Sequence, residues 1–297
     1  MSATTSPSTN KVYGLKRVCE TWKVPRSTVY SKRSCDNQGR KKPGPKPKHT
    51  DDVVLLSIRE DLKQSSFKGE GHRKVHARLR RRKGVVVGRQ RILRLMKENG
   101  LLSPNRCDSS NKAKKHDGRI TTDEPGIMWG TDATKVLTVE DGWVSFFGLI
   151  EHWNAECMGW TLVKRGDRFA AIEALKNAVK YGYGGLEHDI ARGLKIRPDH
   201  GSQFTSKAFR AQTKHWGISL SYSFIKEPET NGVVERFHRT FKEQIIHGRI
   251  YRNLDELYAE VKMFIETYNE EWLLEKLNYQ SPREARRTLG KFVGKAA

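Results

Sequence analysis

Met128-Trp129-Gly130-Thr131-Asp132-Ala133-Thr134-Lys135-Val136-Leu137-Thr138-Val139 is rich in β-branched and apolar residues and free of helix caps, which reads as a long strand. Asp141-Gly142 follows it as a hairpin turn, and Trp143–Ile150 returns as a second strand. Cys157–Lys164 reads as a third. The period then lengthens. Over 168–181, Ala171, Ile172, Leu175 and Val179 share one helical face. A short strand over 193–197 ends at Pro198-Asp199. Beyond it come a helix over 206–216, a strand over 218–224, a helix over 231–246 and a helix over 254–271. In the last of these Leu257, Val261, Phe264 and Ile265 point inward. Three meandering strands followed by alternating units imply an α/β domain, a mixed sheet flanked by helices.

The residues ahead of this half differ in kind. The 297-residue chain carries a formal net charge of +22, and residues 1–120 hold 31 basic against 10 acidic side chains. Residues 121–297 are nearly balanced, with 25 against 24. A strongly basic front calls for a polyanionic partner, most simply nucleic acid, through displaced counterions. A tail and a helix-turn-helix-like segment over 1–38 place Val12, Leu15, Val18 and Trp22 on a first helix. Val24-Pro25-Arg26-Ser27 is the break, and Ser27 caps a second helix that would carry Arg26 and Lys32 toward DNA. Residues 39–50, rich in Pro and Lys, read as a linker. Residues 51–102 read as a second all-α helix-turn-helix-like unit. Its stripe is Val53, Leu56, Ile58 and Leu62, and its last helix buries Ile92, Leu95 and Met96. Arg89, Gln90, Arg91 and Arg94 lie on the other faces, a side-chain set able to read base edges. Residues 103–120 form a second basic linker, 121–287 the α/β core and 288–297 a tail.

Several classes fall away. No apolar run approaches the ~20 residues of a membrane span, and residues 1–10 lack the apolar stretch of a secretory signal. Cys19, Cys35, Cys107 and Cys157 have neither disulfide-framework nor metal-ligand spacing, so a reducing cytoplasm is expected. His72 and His76 are spaced for one helix face, but Arg73, Lys74 and Arg78 around them disfavour a cation. No Walker-type loop implicates ATP.

Three carboxylates stand out by position. Asp132 lies inside the first strand, where a lone charge is costly to desolvate. Asp199 ends a later strand, the edge at which α/β sheets build sites. Glu235 sits among Val233, Val234 and Phe237 at the start of a helix able to lean on that edge. Brought together, they would require cations between them, and carboxylate oxygens select hard ions. Two such ions can serve an in-line phosphoryl displacement.

These motifs, Trp-Gly-Thr-Asp-Ala-Thr around Asp132, Pro-Asp-His-Gly-Ser-Gln-Phe around Asp199 and Asn-Gly-Val-Val-Glu-Arg-Phe-His-Arg-Thr-Phe-Lys through Lys242, resemble the integrase core of DDE transposases and retroviral integrases. The close, Tyr268-Asn269 and then Leu277-Asn-Tyr-Gln-Ser-Pro-Arg-Glu284, is similar to bacterial insertion-sequence transposases of the IS-three group, OrfB type. The resemblance covers roughly residues 50–287 and implies a ribonuclease-H-like core. It implies Asp132, Asp199 and Glu235 as catalytic metal ligands for two Mg²⁺ or Mn²⁺ ions per site. It further implies Lys242, Asn231, Arg239, His200 and Gln203 as DNA contacts, with Lys242 two helical turns past Glu235 and so on its face. Implied partners are double-stranded DNA, as element ends and target, and further copies of the chain. A partner from an upstream reading frame is a further expectation, as is a nucleoid-associated location.

The chain departs from the pattern in two places. Glu151-His152-Trp153-Asn154-Ala155 stands where Asp-x-x-Ser-Arg is usual, and Trp272-Leu273-Leu274 replaces the usual basic and His residues. The His/Cys zinc module of retroviral integrases is absent from the sequence. The expected activity is DNA cleavage and strand transfer at element ends. Two alternatives stay open: a transposase-derived DNA-binding regulator without catalysis, and a ribonuclease-H-like nuclease or resolvase.

Overall fold

The computed structural model describes residues 3–38, 48–103, 122–222 and 231–290. Residues 39–47 of the linker expected over 39–50, residues 104–120 of that expected over 103–120, the end of the strand over 218–224, Cys107 and residues 291–297 of the tail lie outside the described residues. The chain divides into two compact units, residues 1–50 and 51–297.

In the first unit, α1 (Leu15–Thr21) and α2 (Arg26–Gln38) flank the expected break, and Cys19 is buried. The second helix begins at Arg26, two residues earlier than Ser27 as cap would require. Pro25 supplies the entry instead, its carbonyl accepting from Thr28 N–H at 3.0 Å.

The second unit opens with α3 (Asp51–Gln64), α4 (His72–Arg82) and α5 (Arg89–Glu98) around Val54, Ile58, Val75, Leu79, Val87, Ile92, Leu95 and Met96. The expected stripe of α3 is out of phase. Val53 and Leu56 are 51% and 60% exposed, and the inward positions are Val54, Ile58 and Asp61. The pattern was misleading because a carboxylate occupies the third inward site. Buried Arg78 compensates it, with Nε 3.1 and 3.0 Å from the two Asp61 oxygens, and also reaches buried Glu70.

The sheet is five-stranded in the order β3-β2-β1-β4-β5: β1 (Met128–Thr138), β2 (Gly142–Glu151), β3 (Cys157–Val163), β4 (Lys195–Arg197) and β5 (Ser219–Leu220). β1, β2 and β3 are antiparallel neighbours, and β4 and β5 run parallel to β1. This mixed order has the ribonuclease-H-like form expected from the sequence. On one face lies α6 (Arg168–Tyr183), started by Asp167, whose side chain accepts from Phe169 and Ala170 N–H at 2.9 and 3.1 Å. The helices α7 (Ser202–Thr205) and α8 (Lys207–His215) add Phe204 and Phe209 to that core. Gly159 lets α6 approach: a Cβ there would lie 2.3 Å from Ala178 N.

On the other face lie α9 (Gly232–Phe241) and α10 (Leu254–Glu271). Between them Lys242–Ile246 is a π-helical turn, so the single helix expected over 231–246 changes pitch at Lys242. Phe237 and Phe241 pack there against Phe146 of β2, and Phe264 and Tyr268 of α10 pack on them in turn. Each such side chain contributes about 1.5–3 kcal/mol by leaving water. α11 (Pro282–Leu289), entered through a Ser281–Glu284 capping box, completes the unit.

Candidate active site and nucleic-acid interface

The site is built on the middle of β1. Gly130 comes first, because the helix that crosses here needs its missing side chain. A Cβ at Gly130 would lie 2.4 Å from Val234 Cγ2, 2.7 Å from Asn231 Oδ1 and 2.8 Å from His152 Nε2. Asn231 Nδ2 donates to the Thr131 carbonyl at 3.4 Å. Two turns after Asn231 along α9, the buried His238 stands with Nδ1 3.4 Å from Asp132 Oδ2. Asn231, Val234 and His238 are therefore the stripe that runs along Gly130–Asp132. Glu235 lies four residues after Asn231 and three before His238, on the same side of the helix, and is exposed.

Asp132 is half-buried, and its Oδ1 accepts the Ala133 N–H at 2.7 Å. Asp199 follows β4, whose parallel register pairs Met128 with Lys195, Trp129 with Ile196 and Gly130 with Arg197. Two residues further along each chain are Asp132 and Asp199, which puts them at one level of the sheet. Asp199 Oδ1 accepts from Gly201 N–H at 2.9 Å, turning the chain into α7. The structure thus places two aspartates on neighbouring strands and Glu235 on the helix that packs against β1. Among the described residues, no three His, Cys, Asp or Glu side chains stand close enough together to hold a metal ion. Asp132 and Asp199 each accept a hydrogen bond from a nearby backbone N–H.

The donor chemistry nevertheless fits a hard divalent cation. All three are carboxylates, and neither Asp132 nor Asp199 is paired with Lys or Arg among the described residues.

Support comes from residues that carried no expected role. Glu151, at the end of β2, is paired in register with Trp129. Its carboxylate accepts from Trp129 Nε1 at 2.9 Å and Gly126 N–H at 2.8 Å, tying down the start of β1. Burial pushes this carboxyl above the usual range. Lys276 donates to the His152 carbonyl at 3.0 Å, and burial pulls its ammonium down to about 8. His238 was recoverable from the sequence: it lies seven residues after Asn231 and three after Glu235, on one helical face.

The expected DNA contacts fall into groups. Lys242 begins the π turn and lines an open groove with Thr134 and Lys135 of β1. Arg239 is exposed on α9. The His200 ring stacks on Tyr222, with centroids 5.4 Å apart, and Gln203 is half-buried in α7. On α5, Arg89 and Gln90 stay exposed. Arg91 and Arg94 are engaged: Arg91 Nε donates to Asp51 Oδ1 at 2.7 Å and Arg94 Nη2 to Asp51 Oδ2 at 2.6 Å. The hydrogen bonds from Arg94, then Arg91, hold the Asp51 carboxyl below its ordinary range. In the first unit Arg26 and Lys32 are exposed, and the Arg26 guanidinium lies 6.0 Å over the Tyr30 ring.

The helical segment is mounted on the core. Phe67 meets Trp272 edge-on, with centroids 4.8 Å apart, and Lys74 Nζ lies 2.7 Å above the Trp272 ring. Arg73 pairs with Glu275 and Arg81 with Glu284, each at 2.6 Å. Burial pulls the Lys74 ammonium down to about 7. Trp272, which departs from the family pattern, is the centre of this contact. Among the described residues no helix is long and apolar enough to cross a membrane.

Comparison with known proteins gives a consistent picture. Residues 122–228 and 216–282 match two family models described as the Integrase core domain, and residues 56–106 match the HTH-like domain. The transposase for insertion sequence element IS629 of Shigella sonnei is 25% identical over 291 residues, covering 95% of this chain and 94% of that protein. Transposase InsD of insertion element IS2 from Escherichia coli is 25% identical over 253 residues, 81% of each chain. The HTLV-2 integrase catalytic core domain, solved in complex with magnesium, superposes with a TM-score of 0.41 at 16% identity, covering 54% of this chain and 96% of that one. The integrase-core matches run unbroken over 122–282, more than half of the chain, behind an HTH-like domain, and the chain belongs to the integrase-core transposases of insertion sequences.

Proposed function

We propose that this DNA transposase cleaves and joins DNA at the ends of its own element with Asp132, Asp199 and Glu235 as the catalytic set. What supports the reading is the parallel register of β1 and β4, which leaves Asp132 and Asp199 two residues past the last paired positions of neighbouring strands, with α9, which carries Glu235, packed on β1 beside Asp132. The three carboxylates would hold Mg²⁺ or Mn²⁺, two ions per site, which when bound would activate an attacking oxygen and steady the leaving one. The chain's own residues do the rest. His238 orients Asp132 from the buried side, and Asn231 fixes α9 against the Thr131 carbonyl. Lys242 and Lys135 meet phosphates beside the scissile bond, and Arg239, His200 and Gln203 border it. A water or a DNA 3′-hydroxyl then displaces the 3′-oxygen in line, with no covalent link to the protein. Arg89 and Gln90 approach base edges, while Arg26 and Lys32 add phosphate contacts. Pairing of two ends by several copies belongs to the same proposal, as does a partner from an upstream frame where one copy does not suffice.

The test is strand transfer of a labelled element end by the wild type and by Glu235→Gln, which keeps shape and removes charge. The expected outcome is loss of product in the variant with end binding retained. Equal product from both proteins would overturn the assignment.

A further inference from the structure

The side of β1 beyond the aspartates has an unusual surface. β4 pairs only with Met128–Gly130, and the next backbone partner is Tyr251, which accepts from Val139 N–H at 3.0 Å. Between these points a groove of about 480 Å³ runs along β1, bordered by the π turn and Ile250. Its walls combine two kinds of side chain. Leu137, Val139, Trp143 and Ile250 are 56%, 70%, 60% and 84% exposed, a large apolar outlay for one groove. Lys135 and Lys242 are exposed as well and have no carboxylate partner among the described residues, and no acidic residue lines the groove. Leu137 and Trp143 are cross-strand partners, so the indole and the leucine form one platform.

We propose that this groove takes a short unpaired stretch of DNA strand as it leaves the active site, with a base stacked on Trp143; the inference rests on the transposase reading above. Charge decides between occupants. A second copy of a chain with net charge +22 is a poor guest for a basic groove without carboxylates, whereas a polyanion is attracted to it. Geometry decides which polyanion. In a duplex the base faces stack on one another, so an exposed indole gains a stacking partner only from an unpaired base. The path is short. Asp132 to Leu137 spans five strand residues, about 17 Å, the reach of a few nucleotides of unpaired strand. Past Val139 the adjoining surface carries Glu140 and Glu256 together with Arg252, which pairs with Glu140, so the uncompensated basic path ends there.

The experiment uses the full chain and two fluorescent probes of one element end, a blunt duplex and the same duplex with an unpaired thymidine tail of about five nucleotides. Anisotropy titration of the wild type should favour the tailed probe. Trp143→Ala should lower that preference about tenfold, Trp143→Phe should keep most of it, and blunt-duplex affinity should hold in both. An undiminished tail preference in Trp143→Ala, or none in the wild type that still binds the blunt end, would overturn this proposal and leave the transposase reading standing. Failure of the wild type to bind either probe would overturn both. Conversion of a multimer to monomers by Trp143→Ala in sedimentation, with tail preference intact, would assign the groove to a second copy and overturn the proposal.

Discussion

Replacing Gly130 with alanine tests whether the close seating of α9 on β1 serves chemistry as well as stability. The new Cβ would stand 2.4 Å from Val234 Cγ2, where carbon atoms settle at about 3.5–4.0 Å. Asn231 Oδ1 and His152 Nε2, at 2.7 and 2.8 Å, close the other escape routes. The helix must therefore lift by about 1 Å, carrying Glu235 and His238 away from Asp132. Overpacking of this size costs about 1–3 kcal/mol, or roughly 2–12 °C of melting temperature in a unit of this size. A misplacement of about 1 Å in a catalytic constellation costs on the order of 100-fold in rate. Gly159→Ala supplies the comparison, since its Cβ would lie 2.3 Å from Ala178 N on the opposite face, against α6. Both variants should melt earlier by calorimetry. Only Gly130→Ala should lose on the order of 100-fold in strand-transfer rate at a temperature where both remain folded. A Gly130→Ala protein within a few-fold of wild-type rate would refute the claim that α9 must lie this close to β1.

Two further outcomes follow from the helical segment. Arg78, although it belongs to the strongly basic front of the chain, is buried between Asp61 and Glu70. Arg78→Ala should cost about 3–5 kcal/mol in denaturant unfolding, because two carboxylates lose their partner; a loss below about 1 kcal/mol would mean the pairs contribute little. Lys74 titrates near 7 when folded, below its ordinary value, so the unfolded chain binds the proton more tightly. Its contribution to stability is therefore least below pH 7 and grows as pH rises from about 7 toward the ordinary lysine range. Hydrogen exchange of the α4 amides, corrected for intrinsic rate, should slow across that window in the wild type and lose that trend in Lys74→Met. An unchanged trend in the variant would place the titration elsewhere.

The parts of the fold legible from the sequence are those where burial follows a simple period. The helix over 254–271 has the expected bounds and buried stripe, because Leu257, Val261, Phe264 and Ile265 are apolar residues at helical spacing. The first three strands were equally plain, being long and bounded by turn residues. Polar burial hid the rest. Asp61 shifted the apparent phase of α3, and α11 passed unnoticed because its inward residues are Pro282 and Ala285 amid arginines. Its Arg286 reaches the fully buried Glu156, a pairing that no local pattern announces. The three carboxylates were legible as a set only through their motifs; the reason α9 can lie beside them, a bare backbone at Gly130, required the packed structure.

The mounting of α4 on Trp272, Glu275 and Glu284 bears on how such elements diversify. This HTH-like segment is not a detachable cassette, since one aromatic ring and two carboxylates of the core form its socket. A chimaera that imports a foreign helical segment would leave Trp272 without its lysine and the two glutamates without their arginines. Exchange of end specificity between elements would then have to carry residues 66–81 together with 271–284, two stretches nearly two hundred residues apart that inheritance must keep matched.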